Sequence, residues 1–211
     1  MKLRPVYTLS LVYIVVAFTY SALGFLHGIP HGNASEYTIY FLIPEISGHI
    51  IFAVIAVLPF LDLQVMLLSS VIAVFIDTDH LLGIFTTLPY IGRPDHSILF
   101  MIVAASILVY LSRRLNLSTA SQIKVAFVVL AAILSHLSFD ILAAYDIFGG
   151  GSFSFPLFYP FSAALIPFPL YAFVIFEVAA MVLSIVGSLL ARKYFKSAKS
   201  TVQAPRSSLS I

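Results

Sequence analysis

The chain contains no cysteine and no tryptophan, and only 9% of its 211 residues are charged. Without thiols there is neither a disulfide framework nor a thiolate metal site. Without tryptophan, any aromatic belt at a membrane surface has to be built from the 11 tyrosines and 19 phenylalanines. A soluble domain carries about 25% charged residues. At 9% charged, 61% hydrophobic and a mean hydropathy of +1.06, the sequence reads as an integral membrane protein. The net charge of +2 is too small to point to nucleic acid as a partner. No small-residue cleavage site follows the apolar run of MKLRPVYTLSLVYIVVAF, so the start of the chain is read as a retained first span.

Apolar runs take the place of the missing polar surface. Spans are predicted over roughly residues 6–26, 46–61, 63–85, 97–111, 125–145 and 165–190, the second and fourth being short against the ~20 residues that cross a hydrocarbon core. The expected fold class is therefore all-α, a polytopic transmembrane bundle of about six spans over residues 1–191. A polar tail over 192–211, expected to be disordered, follows it. The turn PFLDLQ leaves almost nothing between spans two and three, which makes them a helical hairpin. Lys2, Arg4, Arg113, Arg114, Lys124, Arg192, Lys193, Lys196, Lys199 and Arg206 all fall on one side of a six-span chain. That side is expected to be the cytoplasm, with both termini there and the protein in the cytoplasmic (plasma) membrane. All six histidines then lie on the outer side or in the outer leaflet, a grouping the charge rule did not use.

The stretch VIAVFIDTDHLLGIF places Asp77, Asp79 and His80 inside one of these spans. An aspartate at the centre of a span costs roughly 2.5–3.5 kcal/mol on insertion scales, so such residues need partners within the bundle and default to a functional reading. In LSHLSFDIL, His136 and Asp140 are one helical turn apart and share a face. Asp77 and His80 share a face in the same way, while Asp79 would point nearly opposite in an unbroken helix, so either the helix loosens near residues 78–83 or Asp79 supports the ligands from behind. His49 in SGHIIF comes from span two. Arg93, Asp95, His96 and Ser97 in GRPDHS lie at the outer mouth of span four, where Pro94 interrupts regular helix. Imidazole and carboxylate without thiolate suit zinc, with manganese or iron as alternatives. His49, Asp77, His80, His96, His136 and Asp140 are the predicted ligands, enough for one or two ions. Asp79, Arg93 and Asp95 are the catalytic candidates.

These motifs carry a resemblance. GHIIF, FIDTDH, DHS and SHLSFDIL, in this order over roughly residues 46–165, resemble the YdjM-like membrane-bound metal-dependent hydrolases. The later FSFPLFYPFS looks like that family's proline-containing outer loop. The resemblance implies a polytopic membrane protein with a His/Asp metal site, and it matches His49, Asp77, Asp79, His80, His96, Ser97, His136 and Asp140. The family's His-Arg-x-x-Thr-His-Ser reads Ile91-Gly92-Arg93-Pro94-Asp95-His96-Ser97 here. The first histidine is absent, the arginine is displaced by one place, Asp95 stands for threonine, and Ile76 replaces the proline before the first aspartate. His27 or His31 in HGIPHG is a candidate substitute for the lost histidine. The spacing His-x-x-x-Asp is also similar to that of secreted zinc phospholipases C and single-strand nucleases.

The leading expectation is a metal-dependent hydrolase opening to the outer face of the membrane. It would act on an ester or phosphoester, with a lipid or amphiphile as the natural substrate. Arg93 would neutralise a phosphate-like transition state, and Asp79 or Asp95 would take up a proton or orient a ligand. The alternatives are a transporter or proton/metal conduit, and a non-catalytic accessory subunit of a membrane complex. Glu177 in the sixth span has no assigned role.

Overall fold

The computed structural model describes residues 3–26, 39–78, 93–146 and 153–202. Among these residues the chain forms six helices: α1 (Leu3–Leu26), α2 (Ile39–Val57), α3 (Leu63–Phe75), α4 (Ile98–Arg114), α5 (Thr119–Asp146) and α6 (Ala172–Val202). Short 3-10 turns cover Leu58–Phe60 and Pro94–His96. The exception to an all-helical fold is a small antiparallel pair, β1 (Phe153–Phe155) and β2 (Ile166–Phe168), with Ser154 opposite Pro167.

Among the described residues, four helices are long and apolar enough to cross a membrane, over Leu3–Ala22, Ile43–Phe60, Thr119–Tyr145 and Ala172–Phe195. A helix satisfies its backbone polar groups internally, which hydrocarbon demands of any spanning segment. Outward-facing Leu11, Val15, Ile175, Val178, Val182 and Leu189 are exposed, so the outside of the bundle is as greasy as its core. Water would not tolerate so continuous an apolar surface, and the chain is a membrane protein. Within the bundle α5 is central. Some 72% of its apolar window is buried, against 22% for α6, and it packs on α2, α3, α4 and α6. A helix that is apolar all round belongs in that position. Close approach of α5 and α6 depends on Gly187, since a Cβ there would meet Cβ of Phe127 at 2.6 Å and Cζ of Phe60 at 2.9 Å.

The elements differ from the expected spans in three places. The third stops as regular α-helix at Phe75, and a turn at Ile76 and Asp77 follows, so Asp77 stands on a helix end rather than a helix face. The sixth begins at Ala172 instead of about residue 165, because Pro167 and Pro169 lack the N–H that a helix interior needs and Ile166–Phe168 pairs as β2. At its other end α6 carries on through the polar tail as far as Val202. Residues 203–211 lie outside the described residues, as do 27–38 with His27 and His31. Among the described α-helices α3, with 13 residues, is the shortest, and α4 has 17.

The α2–α3 hairpin turns through Pro59 and through Leu61, whose φ of 49° is left-handed. Asp62 then starts α3, its side chain accepting from the Gln64 backbone N–H at 3.1 Å. Lys124 of α5 donates to the same carboxylate at 2.6 Å, tying the hairpin to the central helix. Burial alone pushes the Asp62 carboxyl up, but the hydrogen bond and charge of Lys124 outweigh it and hold the group below the usual carboxylate range. A depressed folded-state value stabilises the protein above the unfolded value and loses that contribution as pH falls through the folded one. Thermal stability is therefore expected to decline as pH drops below about 4. In Asp62→Ala, which also removes a cap worth about 1 kcal/mol, this part of the decline is expected to vanish. Melting curves of the two proteins between pH 6 and pH 3 check it, and parallel declines would refute it.

Candidate metal centre

Five buried side chains from four chain segments converge at one end of α5. His136 and Asp140 are one turn apart on the face of α5 that looks into the bundle. His49 comes from α2, Asp77 from the turn that ends α3, and His96 from the 3-10 turn before α4. His49 Nε2 lies 3.4 Å from Asp77 Oδ2 and 3.4 Å from Asp140 Oδ1. His136 Nε2 lies 3.4 Å from Asp77 Oδ1 and 3.4 Å from Asp140 Oδ2. His96 Nε2 is 3.4 Å from Asp77 Oδ1, 3.1 Å from Asp140 Oδ2 and 3.0 Å from His136 Nε2. Ligand atoms of His49, Asp77, His136 and Asp140 all lie within 4.8 Å of one another.

These separations fit a shared cation. Atoms bound tetrahedrally at about 2.0–2.1 Å from one centre are about 3.3–3.4 Å apart. The tautomer of His136 gives an independent indication. Its Nδ1 lies 2.7 Å from the carbonyl of Ala73, which can only accept, so Nδ1 carries the proton. That carbonyl is available because α3 ends at Phe75, and the last carbonyls of a helix have no intrahelical partner. A neutral His136 then turns the Nε2 lone pair toward carboxylate oxygens that are themselves electron-rich. Such a convergence is repulsive unless a proton or a metal ion lies between them. An imidazole whose other nitrogen is held by a backbone carbonyl is also the usual arrangement of a metal-ligating histidine. His49 adds to the pattern: neither ring nitrogen has a hydrogen-bond partner among the described residues, though Nε2 faces both carboxylates. The donor set of imidazole and carboxylate suits zinc, manganese or iron, and the geometry leaves the identity of the metal open.

The surrounding residues fix these groups. The rings of His49 and His136 stack 4.0 Å apart at 12°. Phe139 meets His49 edge-on at 4.7 Å. His96 lies against Phe155 of β1 at 5.5 Å, so the strand pair covers this side of the cluster. Arg93 Nη1 donates to Asp140 Oδ2 at 2.6 Å, and the guanidinium sits 4.7 Å above the Phe153 ring. Two carboxylates and one guanidinium leave the cluster one charge negative with the imidazoles neutral, a balance that favours a divalent cation.

Asp95, 1% exposed, accepts from Ser21 of α1 at 2.6 Å and from Thr78 at 3.3 Å, while Ser21 and Thr78 are 2.8 Å apart. This hydroxyl network joins the residue after Asp77 to the residue before His96. Ser97 caps α4 by accepting from the Phe100 N–H. Of the sequence-predicted residues, the structure brings together His49, Asp77, His96, His136 and Asp140, with Arg93 touching Asp140 and Asp95 one network removed. Asp79 and His80 lie outside the described residues. The Ala73 carbonyl, Ser21, Thr78, Phe139 and Phe155 were not anticipated. None belongs to a His/Asp pattern, and each acts through a contact between distant segments. The chain matches none of the protein-family models, curated proteins or solved structures compared with it.

Proposed function

We propose that this chain is a membrane-embedded, metal-dependent hydrolase acting on an ester or phosphoester, with a lipid or amphiphile as substrate. The observation that carries the reading is the Nε2 atom of His136, aimed at the two carboxylates while Nδ1 donates to the Ala73 carbonyl. The order of the four motifs, like that in the YdjM-like hydrolases, supports it. In this reading α3 and α4 complete a set of about six spans, both termini face the cytoplasm, and the cluster opens to the outer face.

His49, Asp77, His96, His136 and Asp140 would hold the cation, one or two zinc ions by first choice, with His80 as a further donor. A divalent cation at such a site supplies Lewis acidity and brings the pKa of a water toward neutrality. Arg93 brings a fixed positive charge beside Asp140, where it offsets charge developing on a phosphoryl oxygen. Asp79 or Asp95 would take up a proton or orient a ligand. Asp95, through Ser21 and Thr78, positions Asp77 and His96. Phe153, under the Arg93 guanidinium, and Phe155, against His96, form an apolar wall beside the site. A conduit would need polar groups along the rest of α5, yet Val125, Val128, Val129, Ala132 and Ile133 there are buried and apolar, which favours the hydrolase.

The test is purification without chelators, elemental analysis, and assay against chromogenic phosphate and carboxylate esters and phospholipids. The expected result is about one or two equivalents of a transition metal, with hydrolysis lost on chelation and restored on adding metal back. A metal-free, fully folded protein that binds no added zinc, manganese or iron would refute the site. A metal-replete protein that hydrolyses none of these substrates would refute the hydrolase and leave the accessory-subunit reading.

A further inference from the structure

A second site lies at the other end of the bundle. Lys124 and His136 are both on α5, 12 residues and so about 18 Å apart along the helix axis. Around Lys124 a cavity of about 390 Å³ is lined by Phe60, Ser118, Ser121, Ser188, Arg192 and Phe195, together with Lys124 itself. We propose that this cavity binds the phosphate headgroup of an anionic membrane lipid.

The donors of this cavity outnumber its acceptors. Lys124 uses one of its three N–H groups on Asp62, which leaves two. Arg192 has no carboxylate partner among the described residues and brings a planar set of donors suited to phosphate oxygens. Ser118 and Ser121 hydroxyls lie 3.0 Å apart, and Ser118 Oγ also accepts from the Ser121 backbone N–H. Two hydroxyl hydrogens and one shared bond leave one hydrogen to donate. Ser188 is already committed to the Pro59 carbonyl. With Asp62 cancelling one cation, the cavity keeps a net positive charge.

The walls identify the source of the anion. Phe60, Phe195 and Ala191 are apolar. Beside them Val186, Leu189 and Leu190 of α6 are exposed, on a helix apolar enough to cross the bilayer. A soluble phosphate would have no use for such walls. A lipid would place its headgroup among Lys124, Arg192 and Ser118 and its chains along α6. The other cations at this end, Arg113 and Arg114 of α4 and Lys193 of α6, add long-range attraction for an anionic leaflet.

The experiment compares the full chain with Arg192→Gln, which leaves the Asp62–Lys124 pair in place. Both are reconstituted in nanodiscs of phosphatidylcholine containing phosphatidylglycerol, and lipid retained after transfer to detergent is read by native mass spectrometry. The wild-type chain is expected to retain phosphatidylglycerol over phosphatidylcholine, and Arg192→Gln to lose at least about tenfold of that preference, the scale of one hydrogen bond to a charged group. Lys124→Gln repeats the loss, with a melting curve to confirm folding. Equal retention of the two lipids, or unchanged preference in both folded variants, overturns the proposal. So does displacement of the lipid by millimolar inorganic phosphate, which would make the ligand a soluble anion. Metal content plays no part in this readout, so it stands or falls apart from the hydrolase.

Discussion

Alanine at position 136 is expected to strip the purified protein of its metal. His136 presents the Nε2 atom that faces Asp77 and Asp140, and alanine also leaves the Ala73 carbonyl without its donor. Loss of an outer-shell partner alone lowers metal affinity about 10–100-fold, so losing the ligand as well places the drop at 100-fold or more. Hydrolysis is expected to vanish with the metal. Elemental analysis and competition with a fluorescent chelator measure the first effect, and turnover of the ester that the wild-type protein cleaves measures the second. The orphaned carbonyl costs about 1–3 kcal/mol, so a melting curve has to accompany both. A folded His136→Ala protein with unaltered metal content would remove the basis of the centre.

The second large effect is expected at a residue with no side chain. A Cβ on Gly48 would fall into the tip of the Phe139 ring. Phe139 has little room to yield, being held edge-on by His49 at 4.7 Å and by Phe52 at 5.3 Å. Gly48 precedes His49, and Phe139 precedes Asp140, so a clash there pushes apart the two segments whose ligands must meet. Gly48→Ala is expected to lose about 1–3 kcal/mol of stability, the usual range for overpacking, and to weaken metal binding by a factor of about ten or more. Phe139→Leu in the same chain is expected to restore most of both. Absence of that rescue would refute the Phe139 clash as the cause; helix propensity cannot supply the loss, since for it Gly to Ala has the opposite sign.

The part of the site carried on one helix was legible in the sequence. His136 and Asp140 are four apart in an uninterrupted apolar helix, and the helical period alone puts them on one face. His49 was legible only as one of a set of imidazoles and carboxylates at the same depth of the bundle, since a single buried imidazole more often makes a structural hydrogen bond. Asp77 was legible as a residue but not in its placement. The opposed directions of Asp77 and Asp79 hinted at a loosening near residues 78–83, but the turn comes earlier, at Ile76 and Asp77, where no glycine or proline announces it. Pro167 and Pro169 did announce the late start of α6, but the apolar count around them outweighed that signal. The bracing of Asp95 by Ser21 crosses 74 residues, and no local pattern encodes such a pair. The same holds for His136 and the Ala73 carbonyl, since a backbone acceptor carries no residue identity at all.

The distribution of the ligands along the chain has a consequence for biogenesis. His49, Asp77 and His96 precede α5, and the last two candidate ligands, His136 and Asp140, come only with it. A nascent chain halted before α5 would have three of the five groups on segments with no common centre to face. Capture of the ion would then be a late step of maturation, and the loaded fraction of a preparation would count the molecules whose helices have assembled in the right order.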